Sequence, residues 1–225
     1  MSFITLSPFN HFEFQGQLVF GSFRRDLFQQ ALFHQFQINY PTSLNNAVIK
    51  RKSEFLAGRI CAKKALSSLS LQYESVQVHT GEMREPMWPA GIAGAITHTD
   101  QIAIAAISNL YQGVGIDIEH KMDHKTAKEL TPMILTPSER TSNQYPLDET
   151  SWISLIFSAK ESLYKALYPS VQRFFDFQAA KMIDIGERHF VIELQETLSE
   201  QLQQGIRFEG QYYWHDDQVI TLITV

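Results

Sequence analysis

Gly113-Val114-Gly115-Ile116-Asp117-Ile118-Glu119 alternates apolar residues with small or acidic ones at a period of two, the pattern of a β-strand. On a strand, Asp117 and Glu119 project from the same face with Cα atoms about 6.6 Å apart. Two carboxylates that close repel each other unless a cation lies between them. Their hard oxygens suit Mg²⁺, which commonly takes one or two carboxylates. A solvated strand face would carry the same residues, so the stretch by itself leaves both readings open.

Downstream, residues 151–168 read as a helix stopped by Pro169, with Ile156, Ala159, Leu163, Ala166 and Leu167 on its buried stripe. Within Phe157-Ser158-Ala159-Lys160-Glu161-Ser162-Leu163-Tyr164-Lys165, Glu161 and Lys165 are four residues apart and face the same way. An exposed pair at that spacing is common and is worth only about 0.2–0.5 kcal/mol. Alternatively, Glu161 completes a three-carboxylate site or acts as a base while Lys165 neutralises a phosphate oxygen. Thr136-Pro137-Ser138-Glu139 has the form of a helix start. Strand-like runs follow at 180–185, 190–194, 206–214 and 219–225.

Upstream, residues 51–69 predict a helix, with Phe55, Leu56, Ile60, Ala62, Leu66 and Leu69 on one apolar arc. Arg59 projects from inside that arc and Arg51 lies at its border, about 12 Å away along the axis. A buried arginine must snorkel out or meet an anion, from a ligand or from a buried carboxylate. Six of the nineteen basic residues fall between Lys50 and Lys64, against one acid, Glu54. Such a cluster suits a phosphate-bearing ligand and equally a solvated helix face. Strand-like runs at 73–79, 92–96 and 102–108 come next, with a loop at 81–91. Thr97 and His98 end the second run. One helix followed by strands, twice, predicts an α+β fold of two similar halves, 1–111 and 112–225.

The chain has 225 residues, 44% of them hydrophobic and 19% charged, with a net charge of −5. That composition is globular and disfavours generic nucleic-acid binding. No apolar run approaches the roughly 18 residues of a membrane span, and the first residues lack the pattern of a secretory leader. The single Cys61 cannot form an internal disulfide, in keeping with a reducing, cytoplasmic location.

Taken in order, Arg51 with Arg59, Arg84-Glu85-Pro86-Met87-Trp88-Pro89, Thr97-His98, Asp117-x-Glu119 and Lys160-Glu161-x-x-x-Lys165 resemble the 4′-phosphopantetheinyl transferases. The resemblance is to the monomeric, two-lobed class that includes the enterobactin-synthase (siderophore) type, and it extends from about residue 45 to 180. Phe157 stands where that family commonly has Trp, Thr97 where it often has Ser, and Thr99 where it often has Cys or Ser. The resemblance implies two α/β lobes with an active site in the cleft between them. It implies transfer of the phosphopantetheine arm of coenzyme A to a serine of an apo acyl-, peptidyl- or aryl-carrier protein, in some cases within a siderophore synthase complex. By the same resemblance, Arg51, Arg59, Arg84, Thr97 and His98 in the first lobe hold the phosphoadenosine end. Asp117, Glu119 and Glu161 hold Mg²⁺ or Mn²⁺ at the pyrophosphate, Lys165 binds a phosphate oxygen, and Glu161 is the expected base. A Mg²⁺-dependent phosphohydrolase, or a non-catalytic module binding coenzyme A or a carrier, is the alternative. It is separated from transfer by whether an apo-carrier gains mass.

Overall fold

A computed structural model describes residues 1–141 and 147–225, which divide into two compact units, Met1–Tyr111 and Gln112–Val225. Helices and antiparallel sheets are segregated within each, so the fold class is α+β.

The first unit contains β1 (Ile4–Pro8), β2 (Gln17–Phe23), a short α1 (Ala31–Gln35), α2 (Ile49–Leu69), β3 (His79–Thr80), β4 (Pro86–Met87), β5 (Ala93–His98) and β6 (Ile102–Ser108). Four of its strands form an antiparallel sheet in the order β1-β2-β6-β5, and α2 packs across it. Small residues make that packing close: Ala57, Cys61 and Ala65 of α2 share a core with Ala103 and Ala105 of β6, all fully buried. Of the expected arc, Leu56, Ile60, Ala62 and Leu66 are buried, while Phe55 and Leu69 are half-buried. The strand expected at 73–79 is not one. Leu71–Tyr73 is a single 3₁₀ turn, and only His79–Thr80 pairs, with Pro86–Met87. The intervening backbone is tied to residues 37–39 through the Gln77 amide, which accepts from Asn39 N (3.1 Å) and donates to the Gln37 carbonyl (2.9 Å).

The second unit contains β7 (Val114–His120), α3 (His124–Ile134), α4 (Glu149–Val171), β8 (Ala180–Ile185), β9 (His189–Leu194), β10 (Arg207–His215) and β11 (Gln218–Thr224). Its sheet is antiparallel throughout, in the order β7-β11-β10-β9-β8, with α4 laid over β7 and β11. Asp148 caps α4, its carboxylate accepting from Ser151 N at 3.1 Å and Ser151 Oγ at 2.8 Å. Pro169 does not stop the helix, which runs on to Val171 and closes through Gln172 N to the Tyr168 carbonyl (2.8 Å), with Gln172 left-handed. The helix start expected at Thr136-Pro137-Ser138-Glu139 is a 3₁₀ turn over Glu139–Thr141, with the expected cap formed by Glu139 N donating to Thr136 Oγ1 (3.4 Å) and Thr136 N to Glu139 Oε2 (2.7 Å). Among the described residues no helix is long and apolar enough to cross a membrane.

Candidate active site

Two glycines bring α4 down onto β7. A Cβ on Gly113 would overlap the Ala166 carbonyl, and one on Gly115 the Ser162 carbonyl, so only glycine permits this approach. A buried hydroxyl network then sets how α4 sits along the sheet. Ser162 Oγ lies 2.7 Å from Thr221 Oγ1, and Thr221 Oγ1 donates to the Ser158 carbonyl at 2.9 Å. Thr221 of β11 is in turn the register partner of Asp117 on β7.

That seating places Lys165 against Asp117. Lys165 Nζ donates to Asp117 Oδ1 at 2.6 Å and to the Ile116 carbonyl at 3.2 Å. Asp117 is 2% exposed, and Glu119, Glu161 and Lys165 are each half-buried. Burial, then the charge of Asp117 with a smaller push from Glu161, drives the Glu119 carboxyl up to about 8 against the pull of Lys165. Burial also raises Glu161, with Lys165 opposing and Asp117 adding. Burial works against the Lys165 ammonium, yet Asp117, Glu161 and Glu119 together hold its pKa above the ordinary lysine value. The four residues therefore sense one another as a single charged group.

Among the described residues no three His, Cys, Asp or Glu side chains are drawn into a geometry that would hold a metal ion. The donor set nevertheless fits a divalent cation. All its ligands would be oxygens, as Mg²⁺ or Mn²⁺ prefers. Three carboxylates against one ammonium also leave negative charge that a dication would balance, and Glu119 registers it as repulsion.

Lys160, the neighbour of Glu161, turns away from this group. It is 3% exposed, and Nζ donates to the Ile134 carbonyl (2.7 Å), Glu139 Oε2 (2.8 Å) and the Phe177 carbonyl (3.0 Å). All three ammonium protons are thereby used. In the sequence Glu139 reads as part of a helix cap, within residues 135–140 that share the family resemblance. It also accepts from Thr136 N and Met182 N at 2.7 Å each. Lys160 and Glu161 line a cavity of about 140 Å³ walled by Tyr164, Phe174, Phe175 and Phe177.

In the first unit the structure joins Arg51 to His98, with Arg51 Nη1 3.2 Å from His98 Nε2. Arg59 is 7% exposed. Its guanidinium donates to Thr80 Oγ1 (2.9 Å) and the His79 carbonyl (3.3 Å), and lies 4.7 Å over the Phe55 ring. Burial, then the charge of Arg51, pushes its pKa down to about 10. Its Nε is buried with no hydrogen-bond partner among the described residues. Arg59 also lines a cavity of about 220 Å³ with Phe55, Lys63, Tyr40, His79 and Thr80. Thr97 is buried on β5 beside Ile104. Arg84 is exposed in the β3–β4 loop, left-handed at φ 70°, and no side-chain contact joins it to Arg51, Arg59 or His98 among the described residues.

The N-terminal-domain profile of the 4′-phosphopantetheinyl transferases matches residues 40–108, and the profile of the 4′-phosphopantetheinyl transferase superfamily matches residues 113–223. The chain belongs to this family. The transferase is 34% identical over 206 residues to enterobactin synthase component D of Salmonella typhi, covering 88% of this chain and 83% of that protein. It is 36% identical over 187 residues to the component D of Salmonella typhimurium, covering 80% and 75%. With 4′-phosphopantetheinyl transferase Npt of Nocardia iowensis it shares 30% identity over 197 residues, 79% of this chain and 83% of that one. The hydrolase and binding-module readings are left without support.

Proposed function

We propose that this transferase moves the 4′-phosphopantetheine arm of coenzyme A onto a serine of an apo acyl-, peptidyl- or aryl-carrier protein, releasing adenosine 3′,5′-bisphosphate. The observation that carries the reading is the Lys165–Asp117 contact flanked by Glu119 and Glu161. Phosphoryl-type transfer needs positioning and charge neutralisation more than a covalent nucleophile, and this group supplies both. Lys165, held firmly protonated, binds a phosphate oxygen of the pyrophosphate and offsets charge on the leaving bisphosphate. Glu161 takes the proton of the attacking serine, a role that its raised pKa favours. Asp117, Glu119 and Glu161 would hold Mg²⁺ or Mn²⁺, which when bound would neutralise pyrophosphate charge.

The first unit takes the phosphoadenosine end. Arg51 and His98 face the 3′-phosphate, Thr97 supports them from β5, and Arg84, exposed on its loop, adds a further cation for that end. Arg59, with an unmet buried donor beside an apolar cavity, meets the same end of the ligand. The likeness to enterobactin synthase component D supports a carrier belonging to a siderophore synthase complex. Two complementary units in one chain support action as a monomer, and the lone buried thiol of Cys61 supports a cytoplasmic setting.

Intact-mass analysis of apo-carriers incubated with coenzyme A, Mg²⁺ and the protein tests this reading. Holo-carrier is expected to gain the mass of one phosphopantetheine group. Asp117→Ala is expected to remove transfer while keeping its circular dichroism, and Arg59→Ala to raise KM for coenzyme A. Undiminished transfer by Asp117→Ala overturns the assignment.

A further inference from the structure

The basic cluster of α2 contains one acid, and the structure buries it. Glu54 is 5% exposed in a region that, under the proposed function, receives a dianionic phosphate. A buried carboxylate there opposes ligand binding unless it acts through a cation. Its neighbours identify that cation: Glu54 Oε2 lies 3.8 Å from His98 Nδ1, and Oε1 lies 4.0 Å from Lys50 Nζ. The other imidazole nitrogen, Nε2, lies 3.2 Å from Arg51 Nη1. A guanidinium can only donate, so Nε2 accepts in this contact, which in a neutral ring leaves the proton on Nδ1, on the side of Glu54.

We infer that Glu54 is a positioning residue for the 3′-phosphate of coenzyme A, an anion beside the Nδ1 edge of His98 that supplies the countercharge when His98 takes up a second proton to donate to the phosphate. The inference rests on the reading of Arg51 and His98 as phosphate ligands. Before the ligand arrives, Arg51 satisfies Nε2. When the phosphate draws Arg51 to itself, Nε2 is released, binds a proton from solvent and donates to a phosphate oxygen. The resulting imidazolium stands between two anions, as a charge-assisted contact requires. Glu54 is surrounded for this task by Lys50 and Arg51 on α2, Arg25 of the 3₁₀ turn Arg25–Leu27 that follows β2, and Asp100 of the β5–β6 turn. Burial raises its pKa against those cations, and an imidazolium at Nδ1 is the partner that would restore its charge.

Initial rates with coenzyme A and with 3′-dephospho-coenzyme A, across pH, test this in the full chain. Glu54→Gln is expected to raise KM for coenzyme A about tenfold, to leave kcat and the KM for the dephospho substrate near wild type, and to move the rise in KM to lower pH. Glu54→Asp is expected to restore part of the loss. Should Arg51→Ala and His98→Ala erase the preference for coenzyme A while Glu54→Gln keeps both preference and pH profile, the role of Glu54 is overturned and the phosphate reading stands. Should Arg51→Ala and His98→Ala leave the preference intact, the phosphate reading fails and takes Glu54 with it. Nitrogen-15 spectra of the wild-type imidazole give a reading independent of any variant. Neutral His98 is expected to carry its proton on Nδ1, and an Nε2–H tautomer overturns the proposal.

Discussion

The Lys160 ammonium lies 2.8 Å from Glu139 Oε2 with both side chains almost wholly out of water. The pair clamps together α4, the end of α3, the turn at Thr136 and the first strand after α4, because Glu139 holds Thr136 N and Met182 N while Lys160 holds the Ile134 and Phe177 carbonyls. Such a pair adds little net stability over apolar replacements, but breaking it strands a charge in the interior.

Lys160→Met is accordingly expected to destabilise the protein by about 3–5 kcal/mol, and Lys160→Met with Glu139→Gln by less than the sum of the single changes. Urea denaturation of the four proteins measures the coupling. Strict additivity would show that the two side chains do not act together.

Gly115→Ala places a methyl group against the Ser162 carbonyl. Neither backbone yields easily, so a loss of about 1–3 kcal/mol is expected. Transfer activity should fall even below the melting temperature, because Lys165 and Glu161 ride on the displaced helix. A variant as active and as stable as the parent would contradict this account of the seating.

Glu119 carries a pH signature. Its carboxyl is raised from 4.5 to about 8, so the folded chain keeps a proton that the unfolded chain has lost between those values. The contribution to stability is complete below the lower value and is lost as pH rises through the upper one. In a chelator, Tm is expected to decline across that window, and Mg²⁺ is expected to flatten the decline. Calorimetry at a series of pH values, with EDTA and with Mg²⁺, checks both. A Tm that climbs through the window in EDTA is the opposite of what these charges require.

Cys61 is fully buried, donates to the Ala103 carbonyl at 3.4 Å, and has its thiol pushed up to about 12 by burial. It is expected to resist iodoacetamide in the native protein and to react at once in denaturant, while Cys61→Ala retains full transfer activity. Native labelling followed by mass spectrometry decides the first point, and the carrier assay decides the second.

Periodicity made the strand of Asp117 and Glu119 and the helix of Glu161 and Lys165 legible, because each pair lies within one element and shares its repeat. The buried β6 was legible differently, as a short continuous run of Ile and Ala. Contacts between elements left no such trace. Lys160 stands beside Glu161 in sequence, but its partner Glu139 lies 21 residues away, in a stretch that reads as a cap and as part of the family resemblance without pointing to Lys160. Thr221 looks like an ordinary strand threonine until α4 is laid across it. Glu54 did leave a sign, as the lone acid in a basic run, although its burial follows from the sheet beneath α2 and not from the helix. Residues 73–79 show how a local pattern misleads: Val76 and Val78 are spaced as in a strand, yet Gln77 ties them elsewhere. Residues 124–134 show the converse, a helix that accommodates Pro132, a residue that ordinarily breaks one.

At Gly113 and Gly115 the backbone at the start of β7 meets that of α4 with no side chain between them. Substitutions at those glycines have no space to fill, and the spacing of Lys165 and Asp117 follows from that close approach together with the Ser162 and Thr221 hydroxyls. Laboratory evolution of this enzyme would find no room at Gly113 and Gly115 for gradual repacking.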